Sequence, residues 1–415
     1  MARAIPARSS GRLNARQFTL LTMLACLLLQ RFAIPVADLP MSLATPVCYV
    51  LVFWGLISGA LSVDRQRLGL MLGLCAVAGM AFAFQVDMPL AIAPRASMFS
   101  LIYWLALTGF AILTFQHRLS ETEFFRVINL CLLIVAVAGI LQYSGQFVGL
   151  SVFSFSGFVP DSLLIESLYA VAVPMANGTL RSNGFFLVEP STYSQYMAVA
   201  IIVEGLYFRR PVWLLTFFAG LLVSISGTGW LVLGAFVVQA GLVNGRRGIL
   251  VAIGVILAAA GAGFLAHLVA PEVVDSLLGR QAEFDMQGTS GNERFVTPYL
   301  VLQAVLEDAP RTFFTGIGPG AAELVLVPFK YVLNTPVKIL LEYGIFGLLF
   351  YIALLVKAER TRRQSAMLLP LLVMLLFAGG YQVFSPVLFS VLLMMTVAKL
   401  QDDEVLPLLR ERVPC

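Results

Sequence analysis

Charge is scarce in this chain. Of its 415 residues only 12% are Asp, Glu, Lys or Arg, about half of the roughly 25% found in soluble domains. That scarcity excludes an ordinary cytoplasmic enzyme and a disordered chain. Cysteine is also sparse. Cys26, Cys48, Cys75 and Cys131 lie singly in apolar segments and Cys415 ends the chain, with no CxxC pair. A secreted disulfide scaffold is therefore excluded, and buried single thiols behave as small hydrophobes. The two histidines, His117 and His267, stand far apart. Asp402-Asp403-Glu404 reads as a solvated tail run, not as an Asp-x-Asp metal motif for a nucleotide sugar. No metal site and no cofactor are expected.

What the chain has instead is apolar length. Hydrophobic residues make up 59% of it, in blocks such as Leu231–Val243, Ile249–Val269 and Gly344–Val356 that approach the ~20 residues needed to span a bilayer. The pattern predicts an all-α, polytopic integral membrane bundle in one domain over 1–415. We read about twelve transmembrane helices, at 18–34, 41–62, 68–86, 97–116, 127–149, 190–208, 211–226, 229–243, 249–269, 336–356, 365–380 and 384–399. An N-in, C-in arrangement places 19 of the 27 Lys and Arg residues on the cytoplasmic side, as the positive-inside rule requires. Because the basic residues follow topology, the net charge of +4 implies no nucleic-acid partner. Arg31 interrupts the first apolar run, so an uncleaved first helix is expected rather than a leader peptide.

This layout leaves short cytoplasmic connections and two long outer (periplasmic) loops, 150–189 and 270–335. Long connections in a compact bundle are usually functional. The first ends in Arg181-Ser-Asn-Gly-Phe-Phe-Leu-Val-Glu-Pro-Ser-Thr-Tyr-Ser-Gln-Tyr196. Pro190 suits the first turn of a helix, which puts Glu189 at the helix start. Thr192, Tyr193 and Tyr196 then follow on one polar-aromatic face, suited to a sugar's hydroxyls and apolar ring. Arg181 nearby could hold phosphate. The plainer alternative is a helix cap with interfacial tyrosines.

The second outer loop carries Arg280, Arg294 and Arg311 among several acids. Arginine grips phosphate with two parallel hydrogen bonds and keeps its charge. Solvated ion pairing is the alternative for Arg280 and Arg311, whereas Arg294 in Ser290-Gly-Asn-Glu-Arg294 is the better anion ligand. Gly316-Ile-Gly-Pro-Gly320 follows no predicted strand and reads as a turn closing the loop onto the membrane. Lys338 and Glu342, four apart, can pair on one helix face, either lining the site or as a structural ion pair. Gln382 is a weaker candidate.

Taken together, Arg181…Gly184-Phe-Phe-Leu-Val-Glu189-Pro-Ser191, the hairpin Ser224-Ile-Ser-Gly-Thr-Gly-Trp230, Ser290…Arg294 followed by Gly316-Ile-Gly318, and Asn334…Leu341-Glu342-Tyr-Gly344-Ile-Phe-Gly347 resemble the O-antigen polymerase and O-antigen ligase superfamily of bacterial envelope glycosyltransferases. The resemblance covers roughly 180–350. Two departures stand out: Thr228-Gly229 replaces an arginine common in the family's hairpin, and Leu333 replaces a histidine common in its ligases. The second favours a polymerase for exopolysaccharide, capsule or O-antigen.

The resemblance implies an inner-membrane transferase working on the periplasmic face. The donor would be a growing glycan on undecaprenyl pyrophosphate, and the acceptor a lipid-linked repeat unit. A flippase and a chain-length regulator are the further partners implied. Glu189, Arg294 and Arg181 would carry the chemistry. Tyr193, Tyr196, Arg280, Arg311, Lys338 and Glu342 would bind substrate. Transfer of glycan to lipid A or protein is the alternative within the class, and a transporter or flippase of lipid-linked sugar is the alternative outside it.

Overall fold

The computed structural model describes residues 14–36, 39–84, 96–115, 120–150, 155, 159–165, 180–269, 285–286, 289–357 and 362–378. They are mostly helical. In chain order the main helices are α1 (Ala15–Leu28), α2 (Ala44–Ile57), α3 (Arg65–Ala83), α4 (Met98–Gly109), α5 (Glu121–Gly145), α6 (Pro190–Val203), α7 (Pro211–Ser224) and α8 (Gly227–Val269). They continue with the short α9 (Ser290–Phe295), then α10 (Thr297–Asp308), α11 (Thr312–Thr315), α12 (Thr335–Val356) and α13 (Arg362–Val373). Two small antiparallel strand pairs intervene: β1 (Ala33–Val36) and β2 (Leu39–Ser42) form a hairpin, and β3 (Leu61–Val63) pairs with β4 (Leu113–Phe115) across the intervening α3 and α4.

Local chemistry sets the helix starts. Asp64 accepts from the Gln66 and Arg67 backbone N–H groups at the head of α3, and Ser120 accepts from Glu123 N–H at the head of α5. Each cap satisfies donors that have no partner inside the helix. Asn334 does the same for α12, with Pro336 in its first turn. Among the described residues three helices, Arg65–Ala83, Glu121–Val148 and Thr335–Val356, are long and apolar enough to cross a membrane. Large apolar side chains such as Phe53, Ile57, Val212 and Leu215 stand exposed on α2 and α7, a surface suited to acyl chains.

Each of the first eleven expected spans overlaps helix over part of its length, and the last, 384–399, lies outside the described residues. Several boundaries differ from expectation: within 41–62 only Ala44–Ile57 is helical, between β2 and β3, the 97–116 span ends in β4, and the expected loop 270–335 contains α9, α10 and α11. The first helix ends at Leu28 rather than at 34, because the chain turns there into the hairpin that begins at Ala33. The spans at 229–243 and 249–269 form the two arms of α8, joined at Gly245 (φ 60°, ψ −146°). A Cβ on Gly241 would lie 3.8 Å from Ile249 Cα. In a straight helix residues eight apart are separated by ~12 Å, so the chain turns back sharply at Gly245.

The core is organised around α6. From Tyr193 to Ala200 every residue is buried, because α6 lies against α5, α7 and α8. A helix enclosed on all sides can be apolar all round. At its far end the buried Glu204 carboxylate accepts from Arg210 Nε at 2.8 Å, Arg210 Nη2 at 2.6 Å and Asn129 Nδ2 at 3.0 Å. The Arg210 guanidinium also lies 3.5 Å from the centre of the Trp213 ring. A buried carboxylate is tolerated when it is saturated in this way. A second, smaller core of Val301, Val305, Ile317, Val337 and Leu341 joins the 289–335 segment to the first half of α12.

Candidate active site

Two segments, distant in sequence, build the site. The first, 180–189, approaches α6 along the end of α5. Gln142 near the end of α5 and Gln146, four residues on and just past that end, clamp it. Gln146 accepts from Leu180 N–H at 2.8 Å and donates to the Leu180 carbonyl at 2.9 Å. Gln142 donates to Asn183 Oδ1 at 2.9 Å and accepts from the Asn183 N–H and the Ser182 hydroxyl. Arg181 lies half-buried between these clamps. The segment then delivers Glu189 in extended backbone (φ −129°, ψ 147°) to the start of α6, with Pro190 in the first turn.

The second segment presents Arg294 on α9. Thr289 caps this helix by accepting from Asn292 N–H. Val332 N–H donates to the Glu293 carbonyl at 3.1 Å, tying α9 to the chain that returns to α12. The tie holds Arg294 over the start of α6. Its Nη2 donates to Glu189 Oε2 at 3.1 Å, with the two side chains 28% and 30% exposed. The Ser191 hydroxyl donates to the same oxygen at 2.6 Å. Among the described residues no other donor reaches Glu189, so Oε1 is open. The remaining guanidinium N–H groups of Arg294 are likewise open among these residues.

The hairpin between α7 and α8 backs the site. Thr228 Oγ1 donates to the Ser191 carbonyl at 3.1 Å and lies 2.9 Å from Ser194 Oγ and 3.1 Å from Ser226 Oγ. A Cβ on Gly229 would collide with the Ser194 carbonyl, so only glycine allows α8 to start this close to α6.

The other candidates are scattered. Tyr193 and Tyr196 do not form the open polar-aromatic face expected of them, because both are fully buried in the core. Tyr193 fills a slot between Gly139, Gly184 and Gly220, where any added Cβ would strike its ring or hydroxyl. That hydroxyl donates to the Ala136 carbonyl at 3.2 Å. Lys338, buried on α12, forms an ion pair with Glu323. Glu342 is buried two residues before a break in α12 at Gly344 (φ 68°, ψ −177°). Arg311 is exposed at the foot of α11. Arg280 and Gln382 lie outside the described residues.

The Gly316–Gly320 turn seats on the break in α12. Ile317 N–H donates to the Leu341 carbonyl at 2.7 Å, and Gly318 N–H to the Glu342 carbonyl at 3.1 Å. Gly316 (φ 72°) and Gly344 are both left-handed, and a side chain at either would run into the other segment's backbone. The turn thus closes onto a helix, where it satisfies carbonyls that the break releases. Gln142, Gln146 and Ser191 escaped the sequence reading. Two glutamines four apart in an otherwise apolar run were the available signal.

Among the described residues no three His, Cys, Asp or Glu side chains lie close enough to share a metal ion. No family model, no curated protein and no solved structure matches the chain.

Proposed function

We propose that the chain is a bacterial inner-membrane glycosyltransferase that polymerises undecaprenyl-pyrophosphate-linked oligosaccharide units without a metal ion. In this reading it crosses the membrane about twelve times with both ends inside, and the site faces the periplasm. One observation carries the proposal: Glu189 and Arg294, candidates drawn from two separate outer segments, meet at 3.1 Å. Each keeps an open face. An arriving pyrophosphate competes for Arg294 and draws its guanidinium from Glu189. The freed carboxylate then accepts the proton of the acceptor hydroxyl as that oxygen bonds the anomeric carbon. The glycosyl–pyrophosphate bond breaks, and the electron pair leaves on a phosphate oxygen neutralised by Arg294. Ser191 keeps the carboxylate aimed. Arg181 lies on the same segment and serves the second phosphate.

The test supplies full-length protein in liposomes with lipid-linked repeat units and no nucleotide sugar. Formation of high-mass glycan supports polymerisation. Glycan appearing only on added lipid A or protein supports the ligase alternative. Lipid that is bound or moved but never extended supports transport. The break at Gly344 beside buried Glu342 favours transport, since broken helices with ionisable groups mark transporter sites. Against it, the carbonyls freed at Gly344 are already taken by Ile317 and Gly318, so the break serves as a seat for the loop.

A further inference from the structure

The 180–189 segment holds a phenylalanine in a conformation that phenylalanine resists. Gly184 and Phe185 are both left-handed, at φ 72° and 64°. Phe186 N–H donates back to the Gly184 carbonyl at 2.7 Å, so Phe185 sits at the apex of the strained kind of γ-turn. Glycine would occupy that apex without strain. Several polar contacts enforce the turn. The buried Arg31 donates from Nη1 to the Phe185 carbonyl at 2.6 Å. The Phe185 N–H donates to Gln142 Oε1 at 3.3 Å and Asn183 Oδ1 at 3.2 Å.

This arrangement assembles an aromatic surface. The Phe185 ring lies 4.6 Å from Phe155 and 5.0 Å from Phe186, and Phe155 lies 5.0 Å from Phe32, measured between ring centres. All four rings are only partly buried. Arg31 supports the cluster, its guanidinium carbon 5.2 Å from the centre of the Phe155 ring. Phe186 is three residues before Glu189, so the aromatic surface and the carboxylate of the ion pair lie on one short segment. A membrane-anchoring aromatic requires no strained apex and no buried arginine behind it. Strain of this kind marks places where side-chain direction matters.

We propose that Phe185, with Phe155 and Phe186, is a stacking platform for a sugar ring of the lipid-linked glycan. Arg31 is the positioning residue that holds Phe185 at its apex. The proposal rests on the glycosyltransferase reading and adds a glycan subsite beside Glu189 and Arg294. A hexose fits such a place because its ring carbons present an apolar face while its hydroxyls reach the polar rim.

The experiment titrates full-length protein, followed by native mass spectrometry, with two probes. One is undecaprenyl pyrophosphate, and the other is the same lipid carrying the repeat oligosaccharide of the producing strain. Wild type should prefer the glycosylated lipid. Phe185→Gly removes the ring and relieves the strain, so its Tm should not fall. Its affinity for the glycosylated lipid should drop roughly three- to tenfold, the size of one aromatic stacking contact, while affinity for the bare lipid stays unchanged. Phe186→Leu, where the backbone is not left-handed, should show the same selective loss and covers the case in which the glycine variant fails to fold. Equal affinity of wild type for the two lipids, or a preference intact in both variants, overturns the platform alone. Wild type binding neither lipid overturns the glycosyltransferase reading and the subsite with it.

Discussion

Arg294 Nη2 stands 3.1 Å from Glu189 Oε2 across a sequence separation of 105 residues. Both side chains are about 30% exposed, and ion pairs of that exposure stabilise a fold by ~1 kcal/mol at most. The pair is therefore weak as a staple, and variants of it should report on activity more than on folding.

Arg294→Lys should lose most polymer output while accumulating to normal levels. Lysine keeps the charge but not the planar fork that grips a phosphate with two parallel hydrogen bonds. Measuring glycan length and protein level in the same cells checks this, and undiminished output removes Arg294 from the chemistry.

Glu189→Gln should lower turnover by ~10²–10⁴ at saturating lipid-linked substrate, the usual cost of removing a general base. If Glu189 only binds sugar hydroxyls, the amide will retain much of the rate and Glu189→Ala will lose affinity instead. Protein level is followed alongside, because a carboxylate at a helix start contributes ~0.3–1 kcal/mol.

Tyr193→Phe should leave activity largely intact. It deletes one hydrogen bond to the Ala136 carbonyl, worth ~1 kcal/mol. Gly139→Val and Gly220→Val, by contrast, drive carbon into the Tyr193 side chain, and at Gly220 also into Met197, and should each cost ~1–3 kcal/mol by overpacking. Thermal unfolding in detergent separates the two outcomes. A selective loss of substrate affinity in Tyr193→Phe would return the residue to the site.

Gly344→Ala should destabilise the protein and detach the Gly316–Gly320 turn. Gly344 lies at φ 68°, ψ −177°, a region essentially confined to glycine that costs ~1–3 kcal/mol for a residue with a Cβ, and the added carbon strikes the Phe314 carbonyl. Gly79→Ala on α3, where a Cβ meets nothing, is the control and should be neutral or slightly stabilising. Limited proteolysis between α11 and α12 reads the detachment.

Polymerisation should continue in EDTA. Loss of product on chelation, restored by one divalent ion, would contradict the metal-free reaction proposed for Glu189 and Arg294.

The sequence by itself located the main apolar helices, though not those within the 270–335 loop. Apolar blocks, caps such as Asp64 and Asn334, and Pro190 in a first turn act within a few residues of themselves, so their effects can be read locally. It also singled out Glu189 and Arg294, since charges in an apolar chain are conspicuous. Only the tertiary structure decided what each met. Tyr193 and Tyr196 share a helical face with Thr192, but packing buries both rings, and three glycines far apart in sequence, two of them on α5 and α7, shape the slot for Tyr193. Lys338 stands four residues from Glu342, yet its ion pair with Glu323 comes from a loop laid over α12. The broken α12 and the γ-turn at Phe185 depend likewise on groups brought from elsewhere, Ile317 and Gly318 in one case and Arg31 and Gln142 in the other. Hydropathy and capping are short-range properties of the chain. Burial, ion pairing and enforced strain depend on which neighbours packing supplies, and packing is decided by the whole fold.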